Sequence, residues 1–193
     1  MKEMGSIGVV YDSGYGHTAA QARAVGEGAA SVPGIDVALH FAEDLAGDPR
    51  QLDHCDALIF GTPTYMGSGS AVFKTFMEAS SKIWLNQGWK GKLAAGFTNS
   101  SGHSGDKLNT LTQLWLFAMQ HGMVWVGLGL LDGNGRSTGS DAELNRLGSY
   151  AGAMAQSNAD QGLEGMQDSD LRTASALGER VAHHIALWQG GGQ

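Results

Sequence analysis

The sequence predicts an α/β fold, a single parallel sheet with helices on both faces. Three observations carry that prediction. Short β-rich apolar runs alternate with longer helical stretches, the pattern of a sheet covered on both sides. Three of the predicted strands run into loops of Gly, Ser, Thr or Asn, and the carboxyl edge of a doubly wound sheet is where such folds bind ligands. The 193 residues suffice for one well-packed domain, so residues 1–193 are read as one unit.

Each element follows in order. The first strand spans about Ser6–Tyr11, with Ile7, Val9 and Val10 as its apolar run. A helix over about Thr18–Ser31 sets Ala22, Val25 and Ala29 on one face. Pro33-Gly34 marks the turn into a second strand, Ile35–Phe41. A third strand, Ala57–Gly61, leads through the loop Thr62–Gly69 to a helix over about Ser70–Ser81 that carries Val72, Phe73, Phe76 and Met77. The fourth strand is Leu93–Thr98, followed by the loop Asn99–Asp106. Lys107–Gly122 reads as a helix with Leu108, Leu111, Trp115 and Met119 at core-facing spacing, and Met123–Leu128 as the fifth strand. The last helix, about Ser169–Trp188, buries Leu171, Ala174, Leu177, Val181 and Ile185. Trp115 and Trp125 are read as core, and the Gly190–Gly192 tail as frayed.

Between the fifth strand and the last helix, residues 129–168 are rich in Gly, Ser, Asn and Asp. So long a connection is unusual in a compact domain. It reads as an ordered insertion at a subunit interface, a lid over the site, or a partly disordered segment. Together with Trp84 and Trp89, which flank a loop, it points to a homo-oligomer.

Composition narrows the function. A net charge of −7 argues against nucleic acid or an anionic membrane as the main partner. No apolar run approaches the roughly 20 residues that span a bilayer. Met1–Gly5 runs straight into the first strand, so no signal peptide is expected. The single cysteine, Cys55, cannot form an internal disulfide; it reads as an inert core thiol in a reducing cytoplasm. His183 and His184 are adjacent on a helix and point apart, so no metal site is expected there.

The chemistry concentrates in the first loop, Ser13-Gly14-Tyr15-Gly16-His17-Thr18. Small and hydroxylated residues between a strand and a helix let free amides and the helix dipole meet an anion. The loop has no Gly-Lys-Ser/Thr ending and lacks the three-glycine dinucleotide spacing. A phosphate held without lysine or metal points to a mononucleotide monoester, with FMN first; the alternative is a plain helix-capping turn. The second loop, Thr64–Gly67, and the third, Asn99–Ser104, would flank a flat ring with backbone amides able to hydrogen-bond its polar edge.

Four segments, Ser13-x-Tyr15-Gly16-His17, Gly61-Thr62-Pro63-Thr64, Trp84…Gly91-Lys92-Leu93-Ala94 and His121-Gly122-Met123-Val124, follow the order and spacing of a known family. The chain resembles the flavodoxin-like NAD(P)H:quinone oxidoreductases of the tryptophan-repressor-binding-protein type over about residues 5–128 and again in the final helix. The resemblance implies a flavodoxin-like, doubly wound, five-stranded sheet in the order 2-1-3-4-5. It implies bound FMN, NAD(P)H as co-substrate and two-electron reduction of quinones through FMN hydroquinone. It also implies a homodimer or homotetramer with sites completed by neighbouring subunits.

Carried over by position, Ser13, Gly14, Tyr15, Gly16, His17 and Thr18 would bind the FMN phosphate. Pro63, Thr64, Tyr65, Met66 and Gly67 would approach the flavin, and Asn99, Ser100, Ser101, Gly102, His103 and Ser104 would add contacts. His121 would touch FMN, from a neighbouring subunit or its own, or else compensate a helix dipole. Tyr15 would meet the nicotinamide or simply cover the first loop. Trp84 would line the quinone pocket or serve as a core or interface residue. No side chain is implied as an acid, base or nucleophile, because the flavin does the chemistry. Tyr65 and Met66 stand where the family usually has Arg then Phe, and the third loop is bulkier, with His103 and Asp106. Loss of that cation predicts a lower flavin potential. The second functional reading is a flavodoxin-like FMN electron carrier, or an FMN-binding protein without quinone turnover.

Overall fold

The computed structural model describes residues 5–190, the side chains of 189 and 190 excepted. Residues 191–193, and with them most of the tail expected to fray, lie outside the described residues. β1 (Gly5–Tyr11) runs parallel to β2 (Ile35–Phe41) on one side and β3 (Ala57–Tyr65) on the other. A two-residue strand, β4 (Ser68–Gly69), folds back antiparallel on the end of β3. β5 (Leu93–Ser100) pairs with the free edge of β3. Two short strands share the fifth position: β6 (Val124–Trp125) pairs with the start of β5, and β7 (Ala153–Gln156) with its end. Across its five parallel positions the sheet has the order 2-1-3-4-5 that the sequence implied.

Alternation along the strands sorts the core into two layers. Ile7, Val9 and Tyr11 of β1, Ile59 of β3 and Ala95 and Phe97 of β5 face one side. There they meet α1 (His17–Ala30) and α6 (Asp168–Gly190). Val10, Leu58, Phe60 and Ala94 face the other side, covered by α2 (Ala42–Leu45), α3 (Ala71–Ala79), α4 (Ser81–Leu85) and α5 (Lys107–Gln120). Apolar residues on both faces are what a parallel sheet buried on both sides requires. α1 and α6 touch backbone to backbone. A Cβ on Gly28 would lie 1.9 Å from the Ser175 carbonyl oxygen, and one on Gly178 1.9 Å from that of Val25.

Three expectations are corrected. α5 turns Lys107, Thr110, Leu111, Leu114, Phe117 and Ala118 inward, while Leu108 and Trp115 are exposed. Leu111 belongs to both stripes, so periodicity alone selected the wrong one. Trp89 is wholly buried, its Nε1–H donating to Asp53 Oδ1 at 2.9 Å, and so serves the core rather than an oligomer contact. The third strand runs four residues past Gly61 and takes in Thr62–Tyr65, which the sequence suggested as loop. Cys55 is buried as expected, and burial raises its thiol pKa to about 11, which keeps it an inert thiol.

The segment 129–168 is ordered. Leu128 N–H donates to the Tyr150 carbonyl at 3.0 Å and Trp125 Nε1–H to the Ala151 carbonyl at 2.8 Å, tying its two ends together. Gly152 then passes so close to the Gly96 carbonyl that a Cβ would lie 2.1 Å from its oxygen. β7 thereby resumes the sheet position that β6 leaves. The insertion interrupts the fifth strand and returns to it, which brings residues 157–162 to the carboxyl edge.

Candidate functional site

The three loops do converge, forming a cleft of about 570 Å³ at the carboxyl edge of the sheet. That is within the size range of cofactor pockets. Ser13, Tyr15, His17 and Thr18 line one end, Pro63 to Gly67 a second wall, and Asn99 to Gly102 with Gly105 and Asp106 the third. Ser157 and Ala159, from the insertion, complete it.

The first loop has a specific internal logic. Ser13 Oγ accepts the amides of Gly16 and Ala19, each at 3.1 Å, which holds the turn and leaves its own proton free to donate. Gly16 stands before the helix at φ 90°, a conformation that favours glycine. The amides of Tyr15, His17 and Thr18 have no partner among the described residues. The His17 side chain, unlike its amide, is turned away from the implied anion position. Its Nε2–H donates to the carbonyls of Gln161 at 3.1 Å and Gly162 at 2.9 Å, tying the insertion to the start of α1.

The second loop is a two-residue hairpin between β3 and β4. Met66 (φ 50°) and Gly67 (φ 79°) both adopt the left-handed conformation of a type I′ turn. Thr98 Oγ1 gives its proton to the Thr62 carbonyl, so Thr64 donates to Thr98 and Thr110 to Thr64, each at 2.8 Å. The Thr64 hydroxyl is therefore spent inward, anchoring the loop to α5. Tyr65 reaches across the cleft mouth. A Cβ on Gly14 would lie 2.6 Å from its hydroxyl, and its ring meets Tyr15 edge-to-face at 6.4 Å. Burial raises the Tyr65 pKa, and the Asp12 charge adds to it, so the phenol stays neutral. Met66 is fully exposed at the rim.

On the third wall, Asn99 Nδ2 donates to Ser157 Oγ at 2.8 Å while its Oδ1 is buried with no partner among the described residues. That leaves a fixed acceptor in the wall. His103 and Ser104 do not face the cleft; they border a neighbouring groove with Leu108 and Tyr150. Asp106, Gly105, Ser157 and Ala159 are lining residues that the sequence reading missed. Gly105 and Asp106 belong to the third loop already singled out, but Ser157 and Ala159 carried no signal, because their approach depends on β7.

Two implied site residues lie elsewhere. Trp84, on α4, borders a separate groove with Lys74, Met77 and Gln120. His121 is 1% exposed, packed between the rings of Trp89 and Phe117 at centroid distances of 4.7 and 4.8 Å. Ser80 donates its own proton to the Met77 carbonyl, so His121 Nε2–H donates to Ser80 Oγ and Nδ1 is left bare. Burial lowers the ring's pKa to about 4. A neutral, enclosed ring neither reaches the cleft of this chain nor compensates a helix dipole.

That burial has a measurable consequence. The unfolded chain binds the His121 proton from about pH 6.5 downward and the folded chain only from about pH 4, so stability is present above pH 6.5 and falls between the two. His121 is expected to cost the fold about 2 kcal/mol on going from pH 7 to pH 5. Urea unfolding at both pH values should show a smaller drop in His121→Gln; an unchanged drop would refute it.

The donor set fits an FMN monoester: free amides at a helix N-terminus for the phosphate, a hydroxyl with a spare proton, and an unpartnered acceptor, Asn99 Oδ1, in the third wall. Among the described residues no three His, Cys, Asp or Glu side chains are grouped to hold a metal ion, and no helix is long and apolar enough to cross a membrane.

Comparison with known proteins agrees with this geometry. Residues 49–132 match the family described as NADPH-dependent FMN reductase. Flavodoxin FldP of Pseudomonas aeruginosa is 43% identical over 175 residues, covering 90% of this chain and 93% of the relative. The crystal structure of a flavodoxin, WrbA-like protein from Agrobacterium tumefaciens is similar with a TM-score of 0.74 at 42% identity, over 95% of this chain and 98% of that one. Flavodoxin 2 from Bacillus cereus shares the fold with a TM-score of 0.66 at 17% identity, over 93% of this chain and 99% of that one. With strand order, cleft and sequence in agreement, the chain belongs to the flavodoxin-like family.

Proposed function

We propose that this chain binds FMN in the cleft and passes electrons through it, as a flavodoxin-type carrier between redox partners. The observation that carries this reading is the set of unpartnered amides at Tyr15, His17 and Thr18 around Ser13, an anion site at the end of a cofactor-sized cleft. When bound, FMN supplies a redox centre that accepts and releases electrons. The chain's own work is to hold the phosphate on the first loop and to seat the ring between the second and third. The rim formed by Tyr15, Tyr65 and Met66 stays open to solvent, as an electron carrier needs.

The second reading is NAD(P)H:quinone reduction by the same flavin. The match of residues 49–132 to NADPH-dependent FMN reductases favours it. It requires a homodimer or homotetramer that brings Trp84 of a neighbour to the cleft, because Trp84 does not approach the cleft of its own chain. Anaerobic titration of the FMN-loaded protein separates the two. The carrier reading expects slow flavin bleaching by NADH or NADPH and fast reduction by a protein reductase. Rapid bleaching by either nucleotide, followed by reoxidation with a quinone, establishes the second reading. Failure of the protein to bind FMN removes both.

A further inference from the structure

The residues lining the cleft include no Lys or Arg and one carboxylate, Asp106. Directly behind the third loop, however, lies an ammonium. Lys107, at the start of α5, is 0% exposed. Its Nζ donates to Ser100 Oγ at 2.8 Å and to the Gly102 carbonyl at 2.6 Å, and both residues line the cleft. The loop is shaped around this group. Gly105 (φ 53°) and Asp106 (φ 54°) turn the chain through two left-handed residues, so that the side chain of Lys107 folds back beneath the loop it follows. A Cβ on Gly105 would lie 1.9 Å from Ser100 Oγ.

The charge count around Lys107 does not close. The charged groups that act on it are Asp170 of α6 and Arg146 of the insertion, both buried. Asp170 is already engaged: it takes the Arg146 guanidinium through two bonds of 2.9 and 2.7 Å and also the Gln156 amide at 2.9 Å. Lys107 and Arg146 against Asp170 leave one positive charge in excess. Ser100 and Gly102 offer it only neutral acceptors. A buried, uncompensated cation is costly, and packing alone would be better served by an apolar side chain. One of its three donors also has no partner among the described residues.

We propose that Lys107 is the cation of the cleft, held behind the third loop to stabilise the negative charge on the ring of reduced FMN. It is a positioning and electrostatic residue one hydrogen bond behind the wall. The proposal rests on the FMN reading above. Two electrons and one proton leave the flavin ring with one added negative charge, which matches the single excess positive charge. The phosphate would sit on the first loop, at the other end of the cleft, so the effect of Lys107 belongs to the ring and depends on its oxidation state.

The test is the potential of bound FMN, with affinities for oxidised and reduced FMN measured on parent and Lys107→Met protein checked for fold by circular dichroism. Loss of the charge should weaken reduced FMN about tenfold more than oxidised FMN, a drop of about 30 mV for a two-electron couple. If Lys107 only shapes the loop, both affinities fall together and the potential does not move, which overturns the proposal. The parent gives a second readout that needs no variant. Burial lowers the Lys107 pKa to about 8, with Asp170 opposing and Arg146 adding to the effect. The preference for reduced FMN should therefore decline above that pH in the parent and stay level in Lys107→Met; His103 and Asp106, exposed on the same loop, are present in both proteins. An identical pH profile in the two proteins counts against the proposal. A parent that binds no FMN overturns the FMN reading as well, a result distinct from equal potentials.

Discussion

Gly178→Ala is expected to destabilise the fold by about 2–3 kcal/mol. The added carbon would lie 1.9 Å from the Val25 carbonyl oxygen and 3.0 Å from the Ala29 nitrogen, both backbone atoms that cannot rotate aside. α1 and α6 must move apart, loosening the packing of Val25 and Ala29 against Leu177 and Val181, all at most 0% exposed. Overpacking of this kind costs about 1–3 kcal/mol, occasionally more, and lost apolar burial adds about 25 cal/mol per Å². The better helix propensity of alanine offsets at most about 1 kcal/mol. Gly28→Ala should behave alike, because its Cβ meets the Ser175 carbonyl at the same 1.9 Å. Urea unfolding decides the point, with Gly47→Ala as control, where a Cβ meets nothing within 4 Å. Equal stability of Gly178→Ala and the control would show that the helices do not depend on this contact.

Ser13→Asp should separate binding from folding. A carboxylate at this position can still accept the amides of Gly16 and Ala19 that Ser13 Oγ accepts, and an acid at a helix N-terminus suits the dipole. The apoprotein is therefore expected to keep its stability. FMN affinity should fall by about 2–3 kcal/mol, roughly 30- to 160-fold, from charge repulsion and the loss of the hydroxyl proton. Fluorescence titration with FMN measures it. Unchanged affinity would place the phosphate somewhere other than the first loop.

Much of this was legible in the chain. Strand two was read as Ile35–Phe41 and is Ile35–Phe41, because an apolar run bounded by Pro33-Gly34 is a local signal. The first loop was equally readable, since Ser13, Gly16 and the start of α1 lie within a few residues of one another and their hydrogen bonds are local. α5 shows where local reading fails. Its sequence carries one stripe through Leu108 and Trp115 and another through Leu114 and Phe117, and helical period cannot choose between them. The sheet chose, by taking the stripe that continues from Lys107 and Thr110.

The sequence by itself determined the alternation of strands and helices, the sheet edge at which the three polar loops gather and the glycine turn into α1, because each depends on residues that are neighbours in the chain. Tertiary structure decided what depends on distant partners. His121 became a neutral core residue once Trp89 and Phe117 closed around it. Ser157 and Ala159 reached the cleft only because β7 returned to pair with β5. Lys107 became a buried cation when the third loop, Arg146 and Asp170 were folded against it. Charge and burial are sums over neighbours in space, and those neighbours are chosen by packing.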